Sequence, residues 1–314
     1  MADSENIPRV IVVAGPTASG KSELSAWIAG AFDGEVVNAD SMQIYRGMNI
    51  GTAKPSREAM SAIPHHLFDI VDPDEDFTAA EYARRARLTV LDICSRGKLP
   101  VIAGGTGLYI RALLSGLAES PGCDAALREE CLQYALANGN EALHKLLCTV
   151  DPLAGARLHF NNRVRVIRAL EVFRLTGRSI VEFQQEHSFA LKWCNYLKIG
   201  IQVERLELYR RINLRVERMI SEGLVAEVQA LLGAGYLPEA KSLSAIGYRE
   251  ICSHLAGEIT LEESVSLIKR NTRHYAKRQL TWFNHEDDIS WFNWPEEIDN
   301  VELAVKGFLN QLHP

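Results

Sequence analysis

Gly15, Gly20, Lys21 and Ser22, in the run GPTASGKS over 15–22, fit the phosphate-loop pattern GxxxxGK[ST]. The pattern has a mechanism. Backbone N–H groups of Thr17, Ala18, Ser19, Gly20 and Lys21 can wrap a phosphoryl group, with Pro16 entering the turn and small residues at 18 and 19 allowing it to close. The field of the helix that follows favours an anion. Lys21 adds charge, and the Ser22 hydroxyl can bind Mg2+. Such a loop says that phosphate is held, without saying whose.

A second group stands nearby. Asp40 follows the short apolar run that ends at Asn38. At the carboxyl edge of a sheet it could take a proton from a nucleophile or hold magnesium; the plainer reading is a helix cap or a salt-bridged turn. The run GGTGLY over 104–109 brings a backbone-rich turn in which Thr106 can hydrogen-bond a ligand or simply cap a helix. His65 and His66 are open between a site role and a structural one. There is no NKxD guanine reader and no GxGxxG turn, which weighs against GTPase switching and dinucleotide binding.

These residues need elements to carry them. Residues 9–14 read as a buried parallel strand, 20–31 as the helix it feeds, and 35–38 as a second strand. The stretch after it, to about residue 77, reads as loop with brief helical turns, unusually long unless it has work to do. Thr78 and Glu81 form a capping-box pattern at the head of a helix predicted over 78–96. The run from Leu99 repeats strand, glycine turn and helix. The fold class expected is therefore α/β, a P-loop NTPase-like parallel sheet flanked by helices. From 118 to 193 the apolar spacing is helical, which predicts an inserted all-helical domain in a core made of 1–117 and 194–314. A strand returns over 196–204, and helices are expected over 205–221, 224–233, 244–256 and 260–281.

Composition sets outer bounds. The chain has 314 residues, 47% hydrophobic and 24% charged, as in ordinary globular proteins. No run is long and apolar enough for a membrane span, and the amino terminus carries no export signal, so a cytoplasmic protein is expected. Six cysteines without a CxxC pair read as free thiols. The net charge is −6, yet six arginines lie between 157 and 178 against the single acid Glu171, and five basic residues lie between 269 and 278 with no acid. A nucleic acid feels such local charge more than the total.

Taken in order and spacing, GPTASGKS (15–22), NADSMQIYRGMNIGTAKP (38–55), PHHLFD (64–69), GGTGLY (104–109), VIRALEVFRLTG (166–177), SAIGYREI (244–251) and YAKRQLTWF (275–283) resemble the tRNA dimethylallyltransferase family over nearly the whole chain. The resemblance implies transfer of the dimethylallyl group of dimethylallyl diphosphate to the N6 amine of the adenosine at tRNA position 37, next to the anticodon. It implies Mg2+, an anticodon stem-loop as partner, and a monomer without an obligate protein partner. It places Gly15 to Ser22 and Arg215 at the diphosphate, and Asp40 as general base with Thr106 and Lys21 beside it. It places Asp40, Ser41, Met42, Gln43, Thr106, Arg128, Val164, Arg165, Val166, Ile167 and Arg168 at the tRNA. Many members have Gln–Arg where this chain has Val164–Arg165. Eukaryotic members add a carboxy-terminal zinc finger; the chain resembles the bacterial form. The alternatives are an ATP-dependent small-molecule phosphotransferase, prenyl transfer to free adenine nucleotide, and an RNA-binding module with an idle phosphate loop.

Overall fold

The computed structural model describes residues 7–117, 122–187 and 193–310. It divides into two compact units, Met1–Leu114 with Lys192–Pro314, and Ser115–Leu191. The boundaries expected at 117/118 and 193/194 adjoin residues 118–121 and 188–192, which, like the amino-terminal stretch 1–6, lie outside the described residues.

The first unit opens with β1 (Arg9–Ala14), α1 (Lys21–Ala31), β2 (Gly34–Asn38), α2 (Arg57–Ala62), β3 (His65–His66), α3 (Ala79–Ser95), β4 (Leu99–Gly104) and α4 (Gly107–Ser115). In the second unit come α5 (Ala125–Asn138), α6 (Asn140–Val150), α7 (Pro152–Arg157), α8 (Arg163–Thr176) and α9 (Ile180–His187). The chain then returns with β5 (Asn195–Gln202), α10 (Arg205–Ser221), α11 (Leu224–Gly233), α12 (Tyr248–Leu255), α13 (Leu261–Phe283), β6 (Ile289–Asn293) and α14 (Ile298–Asn310).

Among the described residues the strands form one sheet in the order β3-β2-β4-β1-β5-β6, and every pairing is parallel. Strand side chains alternate between faces, so two cores result. Val10, Val12, Val37 and Ile102 join the core on one face. Ile11, Val13, Val36 and Val101 join that on the other. β1 lies between β4 and β5. The carboxyl ends of β1, β2 and β4 therefore bring the phosphate loop, Asp40 and the glycine turn to one edge, where ligands of open α/β sheets gather.

Several expectations need correction. β3 runs through the stretch read as loop. β6 and α14 lie beyond Phe283, past the last element expected from the sequence. Helix α12 starts at Tyr248 rather than 244, because residues 240–246 are held in turns. The Thr78 hydroxyl accepts from Glu81 N–H at 3.2 Å, but the Glu81 carboxylate goes to Arg84 and Arg85 instead of back to Thr78, so only half the capping box forms.

The long segment after β2 is tied down by distant residues. Glu227 of α11 accepts from the N–H groups of Asn49, Ile50 and Gly51 at 2.7–3.1 Å, and from the Tyr248 hydroxyl at 2.6 Å. Lys54 reaches Tyr45 O at 2.9 Å and Asp69 at 2.6 Å.

The second unit buries Cys131, Leu143, Leu147, Val166, Ala169, Leu170 and Val181 in a core of its own. Glu171 is fully buried beside it, and its folded carboxyl is held down at about 2 although burial opposes the charge. The physical cause is hydrogen bonding from Arg128, Arg168 and Asp124 N–H. No helix among the described residues is long and apolar enough to cross a membrane.

Candidate active site

The phosphate loop closes after Ala14, with Ala18 in the left-handed region at φ 63°. Alternation of backbone handedness turns successive N–H groups toward one point. Lys21 begins α1, and its Nζ donates to Pro16 O at 2.5 Å. Burial lowers the Lys21 pKa to about 7; the nearby Asp40 charge works against that fall, and Arg215 adds to it. The Arg215 guanidinium donates to Thr17 Oγ1 at 3.4 Å, and burial and Arg218 lower its pKa as well. Among the described residues, neither Lys21 nor Arg215 has a carboxylate in ion-pair contact. Both cations are arranged to be neutralised by something from outside.

Thr17 departs from expectation. Its N–H donates to Gln279 Oε1 at 2.8 Å, so it is already committed and the free N–H groups begin at Ala18.

Asp40 is held by its neighbours in an Asx-type turn. Its N–H donates to Asn38 Oδ1, and its Oδ1 accepts from Met42 N–H, both at 2.9 Å. Among the described residues, none donates a hydrogen bond to Oδ2 and no cation is in ion-pair contact with the carboxylate. The salt-bridged turn is thus set aside; the carboxylate is oriented on one side and open on the other.

Thr106 does two things. Its carbonyl accepts from Tyr109 N–H at 2.9 Å as α4 begins. Its hydroxyl accepts from Ser41 N–H at 3.0 Å and donates to Ser41 Oγ at 3.2 Å, joining the glycine turn to the residue after Asp40. Gln43 donates to Thr52 O and Ala53 O, at 3.0 and 3.2 Å, which closes the segment 43–53 on itself.

Asp40, Lys21, Ser22, Gln43, Arg215 and Gln279 line one cavity of about 230 Å3. This is the central observation: the open carboxylate and the phosphate loop share a single hollow. His65 also lines it, with Nδ1 bonded to Ile63 O at 2.6 Å and its pKa lowered by burial. His66 turns away to Glu35 at 2.7 Å, so the histidine pair divides between site wall and scaffold.

The donor set at this site is one that Mg2+ could use. No cluster of three or more His, Cys, Asp or Glu side chains gathers among the described residues. Mg2+ needs none, since it keeps several waters and takes few protein oxygens beside substrate phosphates. Ser22 Oγ is exposed at the mouth of the loop and makes no hydrogen bond to the described residues.

The second unit places the other predicted residues on α5 and α8. Arg128 makes two bonds to Glu171 at 2.8 and 2.9 Å, and Arg168 pairs with the same carboxylate. Arg174 pairs with Glu130, and Arg178 with Glu182 and Glu186. Val164 is 80% exposed, and Val166 is buried in the unit's core. Ile167 packs partly against that core. Arg157, Arg163 and Arg165 have no carboxylate in ion-pair contact among the described residues, and Arg157 and Arg165 are exposed.

Sequence reasoning missed Gln279. It also gave no role to Trp282. A Cβ on Gly105 would lie 2.2 Å from Gln279 Nε2, and one on Gly107 would lie 2.1 Å from Trp282 Nε1. The glycines were the signal: they report that something bulky presses on the turn. Naming it requires the fold.

A family model described as IPP transferase matches residues 43–286. The tRNA dimethylallyltransferase 2 of Geotalea uraniireducens is 56% identical over 301 residues, covering 96% of this chain and 97% of the relative. The tRNA dimethylallyltransferase of Geobacter sulfurreducens is equally similar, at 56% over 301 residues. Among solved structures, the tRNA isopentenylpyrophosphate transferase of Bacillus halodurans is 40% identical with TM-score 0.73, covering 97% of both chains. A eukaryotic dimethylallyltransferase solved while acting on tRNA is 28% identical with TM-score 0.80, covering 98% of this chain and 80% of its own. With a phosphate loop and an open carboxylate on one cavity, and with this likeness running almost end to end, the chain belongs to the tRNA dimethylallyltransferase (IPP transferase) family.

Proposed function

We propose that this chain transfers the dimethylallyl group from dimethylallyl diphosphate to the N6 amine of the adenosine at tRNA position 37, releasing diphosphate. The observation that carries the reading is the cavity shared by Asp40, Lys21 and Ser22. The family membership and the names of the relatives support it.

The adenine amine is a weak nucleophile because its lone pair is delocalised into the ring. It gains as its proton leaves. Asp40 Oδ2 is the acceptor: the amine nitrogen bonds the allylic carbon, the carbon–oxygen bond to diphosphate breaks, and the N6 proton passes to the carboxylate. Charge develops on the departing oxygens. Lys21, Arg215 and the N–H groups from Ala18 onward are preorganised toward it, and such donors are worth roughly 2.7–4 kcal/mol each. Mg2+ held by Ser22 and the diphosphate would, when bound, neutralise further leaving-group charge. The phosphate loop thereby serves expulsion of a diphosphate, and no phosphoryl group moves.

The target base has to leave its stack, at a cost of a few kcal/mol. Cationic contacts to the RNA backbone offset that cost. Arg157, Arg163 and Arg165 are free to make them, whereas Arg128 and Arg168 must first give up Glu171.

The test is incubation with labelled dimethylallyl diphosphate and either tRNA or free adenine nucleotide, followed by mapping of the labelled base. Label on tRNA adenosine 37 is expected. Label in free nucleotide alone, or phosphoryl transfer from ATP without prenylation, would overturn the reading.

A further inference from the structure

Gln279 sits on α13, 5% exposed, with both ends of its amide in use. Oε1 accepts from Thr17 N–H of the phosphate loop at 2.8 Å, and Nε2 donates to Gly105 O of the glycine turn at 2.9 Å. Glutamine is suited to this because its acceptor and donor lie side by side on one rigid plane. Thr106, next in the turn, bonds Ser41 N–H at 3.0 Å, and Ser41 follows Asp40. A continuous line of bonds therefore runs from the diphosphate cradle through Gln279 and the glycine turn to the general base.

Resting on the proposed transfer reaction, we infer that Gln279 is a positioning residue that sets the separation between the leaving-group cradle and the Asp40 carboxylate. It need touch neither reacting atom. The two loops it joins follow strands β1 and β4, whose pairing ends at Ala14 and Gly104. Just past that register the amide ties Thr17 of one loop directly to Gly105 of the other. Misplacement of reacting groups by about 1 Å costs roughly 100-fold in rate, so a small slackening here has a large kinetic effect.

Two variants of the full-length chain test this. In Gln279→Met the shape is kept and both hydrogen bonds are lost. In Gln279→Glu the acceptor toward Thr17 is kept, and the donor toward Gly105 O is present only when the carboxyl is protonated. A buried carboxyl facing a carbonyl titrates above its usual range. Lys21, Glu23, Asp40, His65 and Arg215 share the cavity wall with residue 279, and Tyr275 lies one turn back on α13. Wild type carries all of these too, so activities are taken as a ratio to wild type at each pH.

For Gln279→Met, kcat should fall roughly 10- to 100-fold while KM for tRNA stays within about threefold. Affinity for inorganic pyrophosphate, read by calorimetry, should fall about fivefold as the cradle loosens. For Gln279→Glu, the ratio to wild type should rise toward one as pH is lowered from 8.5 to 6. A folded Gln279→Met chain that equals wild type in pyrophosphate affinity and kcat overturns the inference. A flat Gln279→Glu ratio across pH does the same, and needs no folded methionine variant. Wild type that binds pyrophosphate yet transfers no label overturns the functional reading instead. The clasp is then judged on the pyrophosphate affinities of the two variants alone.

Discussion

The two units treat charge in opposite ways. At the carboxyl edge of the sheet, Lys21 and Arg215 line a cavity with no carboxylate of the described residues in ion-pair contact, and both are depressed in pKa by burial. In the helical unit, Arg128 and Arg168 converge on the fully buried Glu171, whose carboxyl they hold near 2. Stability follows from charges that satisfy one another. Binding follows from charges left to be satisfied by a ligand. The contrast separates two sets of arginines that look alike in the sequence: those that hold the helices together and those available to an RNA.

The largest expected effect lies at the unmatched site. Asp40→Asn keeps the Asx-type turn and removes the proton acceptor. Single-turnover transfer should slow by roughly 100- to 10,000-fold. Affinity for tRNA, measured by filter binding, should stay within about threefold, since Asp40 supplies no attraction to a polyanion. Transfer within threefold of wild type would remove Asp40 from the base role and erase the difference between the two regions.

In the helical unit the corresponding change is Glu171→Gln. Removing one partner of a buried ion pair typically costs 3–5 kcal/mol, and the low end, about 3 kcal/mol, is expected because both arginines reach solvent. The pH dependence has a definite sign. The Glu171 pKa is lower folded than unfolded, so its contribution is present above about 4.5 and lost as pH falls toward about 2. Urea unfolding of this variant and wild type should therefore diverge at pH 6 and converge toward pH 2.5. Equal stability at pH 6 would show that the cluster is no more structural than the loop cations.

Why was one region legible in the sequence and the other not? The parallel sheet follows from short apolar strands feeding glycine turns, and that topology alone brings Lys21, Asp40 and Thr106 to one edge. Local pattern and fold agree there. Glu171 shows in the sequence only as the single acid among six arginines, because its burial depends on how α5 meets α8. Gln279 is 262 residues from Thr17, and nothing near either predicts their bond. β6 is a short edge strand after the acidic run HEDD, paired with β5 residues 91 positions earlier, so its register carries no local mark.

A smaller effect sharpens the division within α8. Arg165→Ala should weaken tRNA binding by about 1 kcal/mol and lower the salt slope by about 0.7–0.9, leaving the melting temperature unchanged. Arg168→Ala should lower the melting temperature, since it strips a partner from Glu171. If Arg165→Ala destabilised the fold and Arg168→Ala did not, ion pairing would have failed as the criterion.

The smallest effect concerns Lys21, where function and stability oppose one another. Its pKa is about 7 folded against 10.5 unfolded, so below pH 7 the folded chain carries a desolvated charge that the unfolded chain keeps in water. Between pH 7 and 10.5 the unfolded state binds the extra proton, and stability rises with pH across that window. Lys21→Met removes the penalty. At pH 6 it should melt about 2 °C above wild type, with the gap closing by pH 10. Diphosphate reverses the balance, because an anion in the cradle favours the ammonium. Inorganic pyrophosphate should therefore stabilise wild type more than the variant, and its affinity for wild type should fall as pH rises through 7. A Lys21→Met chain less stable than wild type at pH 6 would mean that Lys21 is already paired, like the arginines around Glu171, and that the cavity holds no unmatched charge for a ligand to meet.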